Sequence, residues 1–198
     1  MTTVVALTGN IASGKSEVAR LLAERGAVLI DSDVLAREVV APGTDGYGEI
    51  VARWGHEVVA PNGNLDRAAL RRLVFADARQ REALNAIVHP RISARRDALL
   101  TEARSAGARV VVCDIPLLFE SGLQHDFDRV VLVDAPEPER LRRLLARGLS
   151  AEEAERIMAA QMPSAEKRAA ADYVIDNDGM LEDLERKVDD VWRRIAED

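Results

Sequence analysis

Five short apolar runs punctuate the chain: Val4-Val5-Ala6-Leu7, Val28-Leu29-Ile30, Val110-Val111-Val112-Cys113, Val130-Val131-Leu132-Val133 and Tyr173-Val174-Ile175. They are rich in β-branched residues and show no in-out alternation, the pattern of strands buried on both faces of a parallel sheet. Between them the apolar period changes to that of helices. Val18, Leu21 and Leu22 share one helical face, Glu17, Arg20 and Glu24 lie elsewhere, and Gly26 closes the helix. Strand alternating with helix predicts an α/β fold with helices on both faces of the sheet. Between the second and third runs lie about 80 residues without a convincing strand. A crossover needs only a dozen or more, so this is a helical insert, with helices expected near 33–40, 47–54, 67–75, 79–88 and 91–106. A second helical stretch, 137–170, separates the fourth and fifth runs.

Directly after the first run stands Gly9-Asn10-Ile11-Ala12-Ser13-Gly14-Lys15-Ser16, a complete G-x-x-x-x-G-K-S between strand and helix. The glycines let successive backbone N–H groups turn inward on phosphate oxygens. Lys15 reaches the β- and γ-phosphates, the Ser16 hydroxyl ligates Mg²⁺, and the helix N-terminus adds its positive end. Several apolar runs end in aspartate: Asp31, Asp114, Asp134 and Asp176. Ligands of such sheets lie beyond the carboxyl ends of the strands, although strand-end aspartates also cap helices and turns.

Composition removes other classes. At 198 residues with 47% apolar and 31% charged content, the chain reads as one globular domain with inserted parts. A net charge of −7 argues against general nucleic-acid binding. No apolar run is long enough for a membrane span and the first residues lack a basic leader pattern, so cytoplasmic residence is expected. The single Cys113 sits in a core strand and excludes a disulfide framework.

The phosphate loop alone suits ATPases, GTPases and kinases. No Asn-Lys pair is present to start a guanine-reading N-K-x-D motif. Size, the helical insert and a second arginine-bearing helical stretch favour a small-molecule kinase. Arg140, Arg143 and Arg147 recur at spacings of three and four, either as a solvated basic face or as lid cations over the moving phosphoryl group. Asp33, at the mouth of the second strand, is the candidate carboxylate to orient an acceptor hydroxyl. Asp31 is the competitor, with helix capping as its other role. A strand bearing these residues lies beside the first in many such sheets.

Nearly end to end the chain resembles the dephospho-coenzyme A kinase family. The matching blocks are Leu7–Ser16, Ile30-Asp31-Ser32-Asp33, Ala36–Gly43, Gly63–Leu70, Val74-Phe75-Ala76-Asp77, His89-Pro90-Arg91-Ile92, Asp114–Gly122, Arg143 with Arg147, Gln161-Met162 and Tyr173–Gly179. The resemblance implies a three-layer P-loop NTPase fold with a five-stranded parallel sheet. It further implies a core of about 1–34, 108–135 and 171–198, an acceptor-binding helical insert of about 35–107 and a lid of about 136–170. The implied reaction is ATP-dependent phosphorylation of the ribose 3′-hydroxyl of dephospho-CoA with Mg²⁺, by a monomer or small homo-oligomer. Asp33 is then the base, with Lys15 and Arg143 acting on the phosphoryl group. Residues Gly9 through Glu17, Arg143, Arg147 and Asn177 line ATP, Asn177 near the base. Arg37, His89, Pro90, Pro116, Leu117, Leu118, Phe119 and Glu120 join Asp33 at the acceptor. Ser16, and Asp114 through water, hold the metal. Another P-loop nucleoside or nucleotide kinase is the alternative, and a nucleotide-binding regulator without turnover a further one.

Four departures from the family pattern stand out. Asn10 and Ala12 occupy positions where glycine is common. Glu17 replaces a frequent threonine, placing an anion near the phosphates. The turn Arg147-Gly148-Leu149 is one residue shorter than usual. Asn tolerates left-handed backbone, whereas Ala12 requires an ordinary φ or strain.

Overall fold

The computed structural model describes residues 1–197, and for Phe75 and Ala76 the backbone alone, so those two side chains of the Val74–Asp77 block lie outside the described residues. The chain groups into two compact units, Met1–Ile30 with Ala103–Asp198, and Asp31–Glu102.

The first unit is built on strands β1 (Thr3–Gly9), β2 (Val28–Asp31), β3 (Val110–Asp114), β4 (Arg129–Asp134) and β5 (Tyr173–Asp176), one for each apolar run. Their order is β2-β3-β1-β4-β5. β1 runs parallel to β3, Thr3 opposite Val110, and to β4, Val5 opposite Arg129; β4 runs parallel to β5. The expectation that β2 adjoins β1 is therefore corrected, because β3 lies between them. Burial explains the sorting. Val110, Val111, Val112 and Cys113 are wholly enclosed, whereas Val28 and Leu29 on the edge are 39% and 38% exposed. The continuous, buried apolar runs of β3, β1 and β4 take the three interior positions.

Helix α1 (Lys15–Glu24) packs Val18, Leu21 and Leu22 on one face of the sheet. It ends as expected at Gly26, whose φ is 101°, with Ala27 N–H bonded to Leu22 O. The same face is covered by α9 (Leu181–Glu197), an element not among those expected, through Leu184, Val188, Val191 and Ile195. Residues 137–170 form α6 (Glu137–Ala146), α7 (Ala151–Ala159) and α8 (Ser164–Ala170). Gly148 (φ 91°) stops α6, and a reciprocal Ser150/Glu153 capping box starts α7, which makes the short connection between them sufficient.

The second unit holds α2 (Ser32–Glu38), α3 (Asp45–Trp54), α4 (Arg67–Ala76) and most of α5 (Ala78–Ser105). Asp31, Thr44 and Asp66 cap the first three through side-chain oxygens. Ile50, Val58 and Leu70 form its core with Trp54, Leu65, Leu84, Ile87 and Val88. The two helices expected at 79–88 and 91–106 are one: α5 continues through Pro90. Proline removes an N–H and crowds the carbonyls of the preceding turn. The bond lost is the one to Ala86 O; next to it, Arg91 Nη1 donates to Ile87 O at 2.6 Å.

Candidate functional site

The phosphate loop leaves β1 at Gly9 and enters α1 at Lys15. Two glycines are required by geometry. A Cβ on Gly9 would stand 2.5 Å from Val133 O and 2.7 Å from Ser13 Oγ, and Gly14 caps α1 with φ 95°. A Cβ on Gly14 would also collide with the Asn177 amide. Gly14→Ala is therefore expected to cost about 1–3 kcal/mol, read from the denaturant midpoint, and to weaken nucleotide binding.

Among the described residues, Ala12 is the one non-glycine with positive φ, at 61°. The left-handed position is thus Ala12, not Asn10. Such a conformation costs roughly 1–2 kcal/mol. Burial of the Ala12 methyl against Leu144 and Ala154, with Ile11, Leu141, Leu149 and Met158 around them, offsets part of it. Asn10 uses its side chain instead of an unusual φ. It is buried, and Nδ2 donates to Ser164 Oγ at 2.9 Å.

Gly9 through Glu17, Pro116, Arg147 and Gln161 line a cavity of about 400 Å³. Lys15 Nζ forms an ion pair with Asp114 at the end of β3. Glu17 faces away along the helix to Arg20, whose guanidinium holds its carboxyl below the usual range. The anion that the sequence placed near phosphates is thus already paired.

The three arginines grouped by spacing, Arg140, Arg143 and Arg147, separate in role. Arg140 is buried and donates from Nε to Ala135 O. Arg143 Nη1 donates to Ala12 O and Ser13 O at 3.0 and 3.1 Å, and Nη2 to Asn177 O at 3.2 Å. Arg143 also bonds Glu139 at 2.9 Å. Arg142, together with Arg143, holds the Glu139 carboxyl down to about 2. Arg147 is exposed at the end of α6 and lines the loop cavity. Asn177 Nδ2 donates to Ser13 O at 2.8 Å, and its N–H to Asp134 O at 2.7 Å. Arg143 and Asn177 thus grip the Ala12 and Ser13 carbonyls of the loop, while the Ile11 and Ser13 N–H groups donate to Gln161 Oε1 and Asn10 O.

Asp134 and Asp176 take the structural alternative. Both bind Arg168, whose guanidinium is held charged chiefly by Asp176 and then by Asp134. Of the segment expected at the acceptor, Leu118 and Phe119 are buried while Leu117 is exposed. The Glu120 carboxylate pairs with the fully buried Lys167 at 2.7 Å and accepts the Met162 N–H at 3.1 Å. Burial alone raises this carboxyl, but the Lys167 ammonium beside it and hydrogen bonds from the Glu120 and Met162 N–H groups outweigh that and hold it low. Its folded value lies below its ordinary 4.5, so the pair's stabilisation is complete above that pH and fades as pH falls through the lowered value. The stability gap between the wild type and Glu120→Gln, measured by thermal unfolding, is expected to shrink on acidification below about pH 4.5.

In the second unit, Asp31 Oδ1 accepts from the N–H groups of Asp33 and Val34 at 2.7 and 3.2 Å, so Asp31 caps α2. Asp33 and Arg37 are exposed on α2, and His89 and Pro90 are exposed on α5. A cavity of about 730 Å³ belongs wholly to this unit. Apolar Val40, Ile50, Leu65, Leu70 and Val88 line it together with Arg37, Arg67 and Arg71. Arg67, Arg71 and Gln161 were not singled out from the sequence as site residues. Arginines inside an insert that follows a phosphate loop were the available signal for the first two.

A β2-β3-β1-β4-β5 parallel sheet with G-x-x-x-x-G-K-S between β1 and α1 defines a P-loop nucleotide-binding protein, and its similarities are to kinases of that class. The dephospho-CoA kinase family model matches residues 3–183, and the chain belongs to that family. It is 52% identical over 193 residues to dephospho-CoA kinase of Streptomyces avermitilis, covering 97% of this chain and 93% of the relative. For the Thermobifida fusca enzyme of the same name the identity is 46%, covering 96% and 95%. Among solved structures, a Thermus thermophilus protein aligns with TM-score 0.83 at 43% identity, covering 98% of this chain and 97% of that one. Dephospho-CoA kinase from Campylobacter jejuni aligns with TM-score 0.76 at 25% identity, covering 100% and 98%.

Proposed function

We propose that this chain phosphorylates the ribose 3′-hydroxyl of dephospho-CoA with ATP, giving coenzyme A and ADP in the final step of coenzyme A synthesis. The observation that carries the reading is the complete phosphate loop lining a cavity of the first unit; the second unit, by itself, holds a larger arginine-bearing cavity. The loop accounts for ATP. An acceptor with a long, largely apolar arm and a diphosphate suits a cavity lined by Val40, Ile50, Leu65, Leu70, Arg37, Arg67 and Arg71.

The acceptor 3′-oxygen attacks the γ-phosphorus, the bond from that phosphorus to the β-bridging oxygen breaks, and ADP leaves. The hydroxyl proton passes to Asp33, whose neighbour Asp31 is committed to capping α2. Lys15 leaves Asp114 for the β- and γ-phosphates, and Arg143 on the loop carbonyls, with Arg147 at the rim of the loop cavity, meets charge on the transferring group. Pro116 at the same cavity, and His89 with Pro90 in the second unit, are the remaining acceptor-side candidates. The Ser16 hydroxyl in the loop cavity and the Asp114 carboxylate at the end of β3 are oxygen donors suited to Mg²⁺, Asp114 through water. Held there, such an ion would neutralise charge on the phosphate oxygens. Residence in the cytoplasm fits this chemistry, and among the described residues no helix is long and apolar enough to cross a membrane.

The test is a coupled ADP-release assay with dephospho-CoA, adenosine, AMP and pantetheine as acceptors. Dephospho-CoA is expected to be preferred, because it alone of the four offers both the adenosine ribose and the diphosphate arm. Turnover with AMP and none with dephospho-CoA would assign the chain to another nucleotide-kinase specificity. ATP binding without turnover on any acceptor would favour a regulator.

A further inference from the structure

We propose that Gln161 is a positioning residue for phosphoryl transfer, holding the phosphate loop to the connection between α7 and α8 through the Ile11 amide. The inference rests on the kinase reading above. Two neighbouring loop residues are bonded to that connection and to the first residue of α8. Ile11 N–H donates to Gln161 Oε1 at 2.8 Å, and Asn10 Nδ2 donates to Ser164 Oγ at 2.9 Å. Ser164 Oγ donates onward to Asp134 Oδ1 at 3.0 Å, tying the latch to the end of β4. On its other side the connection is anchored by Met162 N–H on Glu120, which in turn pairs with buried Lys167. Ile11 and Ala12 also pack against Leu144, Ala154 and Met158 of α6 and α7.

The two halves of the loop are supported differently. Lys15 and Ser16 belong to the first turn of α1 and take their orientation from the helix. Ile11 and Ala12 belong to no regular element, and Ala12 holds a disfavoured φ. A peptide plane turns as a unit, so the Gln161 oxygen that fixes the Ile11 N–H also fixes the preceding carbonyl. Arg143 and Asn177 fix the carbonyls that follow. The Asn10 carbonyl also accepts the Ser13 N–H at 3.0 Å, so removal of the Gln161 acceptor loosens this first half by one of its tethers and leaves the α1 end untouched. Diphosphate binding at the α1 end is then preserved, while alignment of the transferring group is lost. Because Gln161 rides on the connection after α7, loop geometry is coupled to the position of the helices expected to form the lid.

Gln161→Ala and Gln161→Met test this, the second keeping volume while deleting the acceptor. Both are expected to lower kcat at least about tenfold, the order of effect that misplacement of reacting groups produces. KM for ATP and ADP affinity should stay within about threefold, the split a positioning role demands. Hydrogen exchange at the Ile11 amide, followed by NMR, is expected to accelerate in both variants. Gln161→Glu keeps an acceptor oxygen at similar reach and should restore Ile11 protection. Wild-type kcat in Gln161→Met, or unchanged Ile11 exchange in both deletion variants, would overturn the proposal and make Gln161 a packing residue. If the wild type itself fails to turn over dephospho-CoA, the kinase reading falls, and Ile11 exchange still decides the tether.

Discussion

Lys15→Ala is expected to lower kcat/KM by at least about 10³-fold, close to 4 kcal/mol of lost transition-state stabilisation. The ammonium is compact, carried by the first turn of α1, and opposed by a single aspartate, Asp114. ATP brings several negative charges to the same cavity, and their attraction exceeds that of one carboxylate. The variant removes the Lys15 ion pair from the buried Asp114, so a fall of a few degrees in Tm is expected as well. Lys15→Arg separates the two effects. It retains a cation for Asp114 and hence stability, but its planar fork is too bulky for a backbone cradle. Loss of at least about 100-fold in turnover with a normal Tm is the expected outcome for Lys15→Arg. An unchanged kcat/KM in Lys15→Ala would break the phosphate-loop account.

Asp33→Asn is expected to lower kcat at least about 100-fold while KM for ATP stays nearly constant. The substitution is isosteric and removes the proton acceptor alone. Asp31→Asn is the matched control, because asparagine caps a helix about as well as aspartate and the bonds to the Asp33 and Val34 N–H groups survive. Its kcat is expected to remain within a few-fold of wild type. The reverse result, an inactive Asp31→Asn beside a normal Asp33→Asn, would move the base to Asp31.

The strands and the phosphate loop were legible because each depends on a local pattern. Five apolar runs became five strands, and Gly26 stopped α1 as its position required. Strand order was not, since no local signal says that β3 rather than β2 adjoins β1. The difference lies in burial, which is a property of the assembled sheet. Pro90 misled in the other direction: its rule concerns one missing hydrogen bond, to the Ala86 carbonyl, and the surrounding turns carry the helix across that loss. The stripe Leu184, Val188, Val191 and Ile195 was present in the sequence as a plain helical period, with no motif to draw attention to it.

At the site, residue identity was easier to read than residue partnership. Spacing grouped Arg140, Arg143 and Arg147, yet one is buried against Ala135 O, one grips the loop carbonyls and one stands at the cavity rim. Glu120 matched an acceptor segment by motif and proves to be engaged by Lys167 and Met162, partners 42 or more residues away in sequence. Such long-range bonds leave no periodic trace. The departures at Asn10, Ala12 and Glu17 were visible at once, but their consequences came from neighbours: Ser164 for Asn10, an apolar cluster for Ala12, and Arg20 for Glu17.

The central claim is the transfer of a phosphoryl group from ATP to one particular hydroxyl. It is tested most directly by identifying the product formed from ATP and dephospho-CoA by the wild-type chain, using ³¹P NMR and chromatography against authentic coenzyme A. The account predicts one coenzyme A formed per ADP released, with the new phosphomonoester on the ribose 3′-oxygen. ADP release without coenzyme A, or a phosphate placed on any other oxygen, would contradict it.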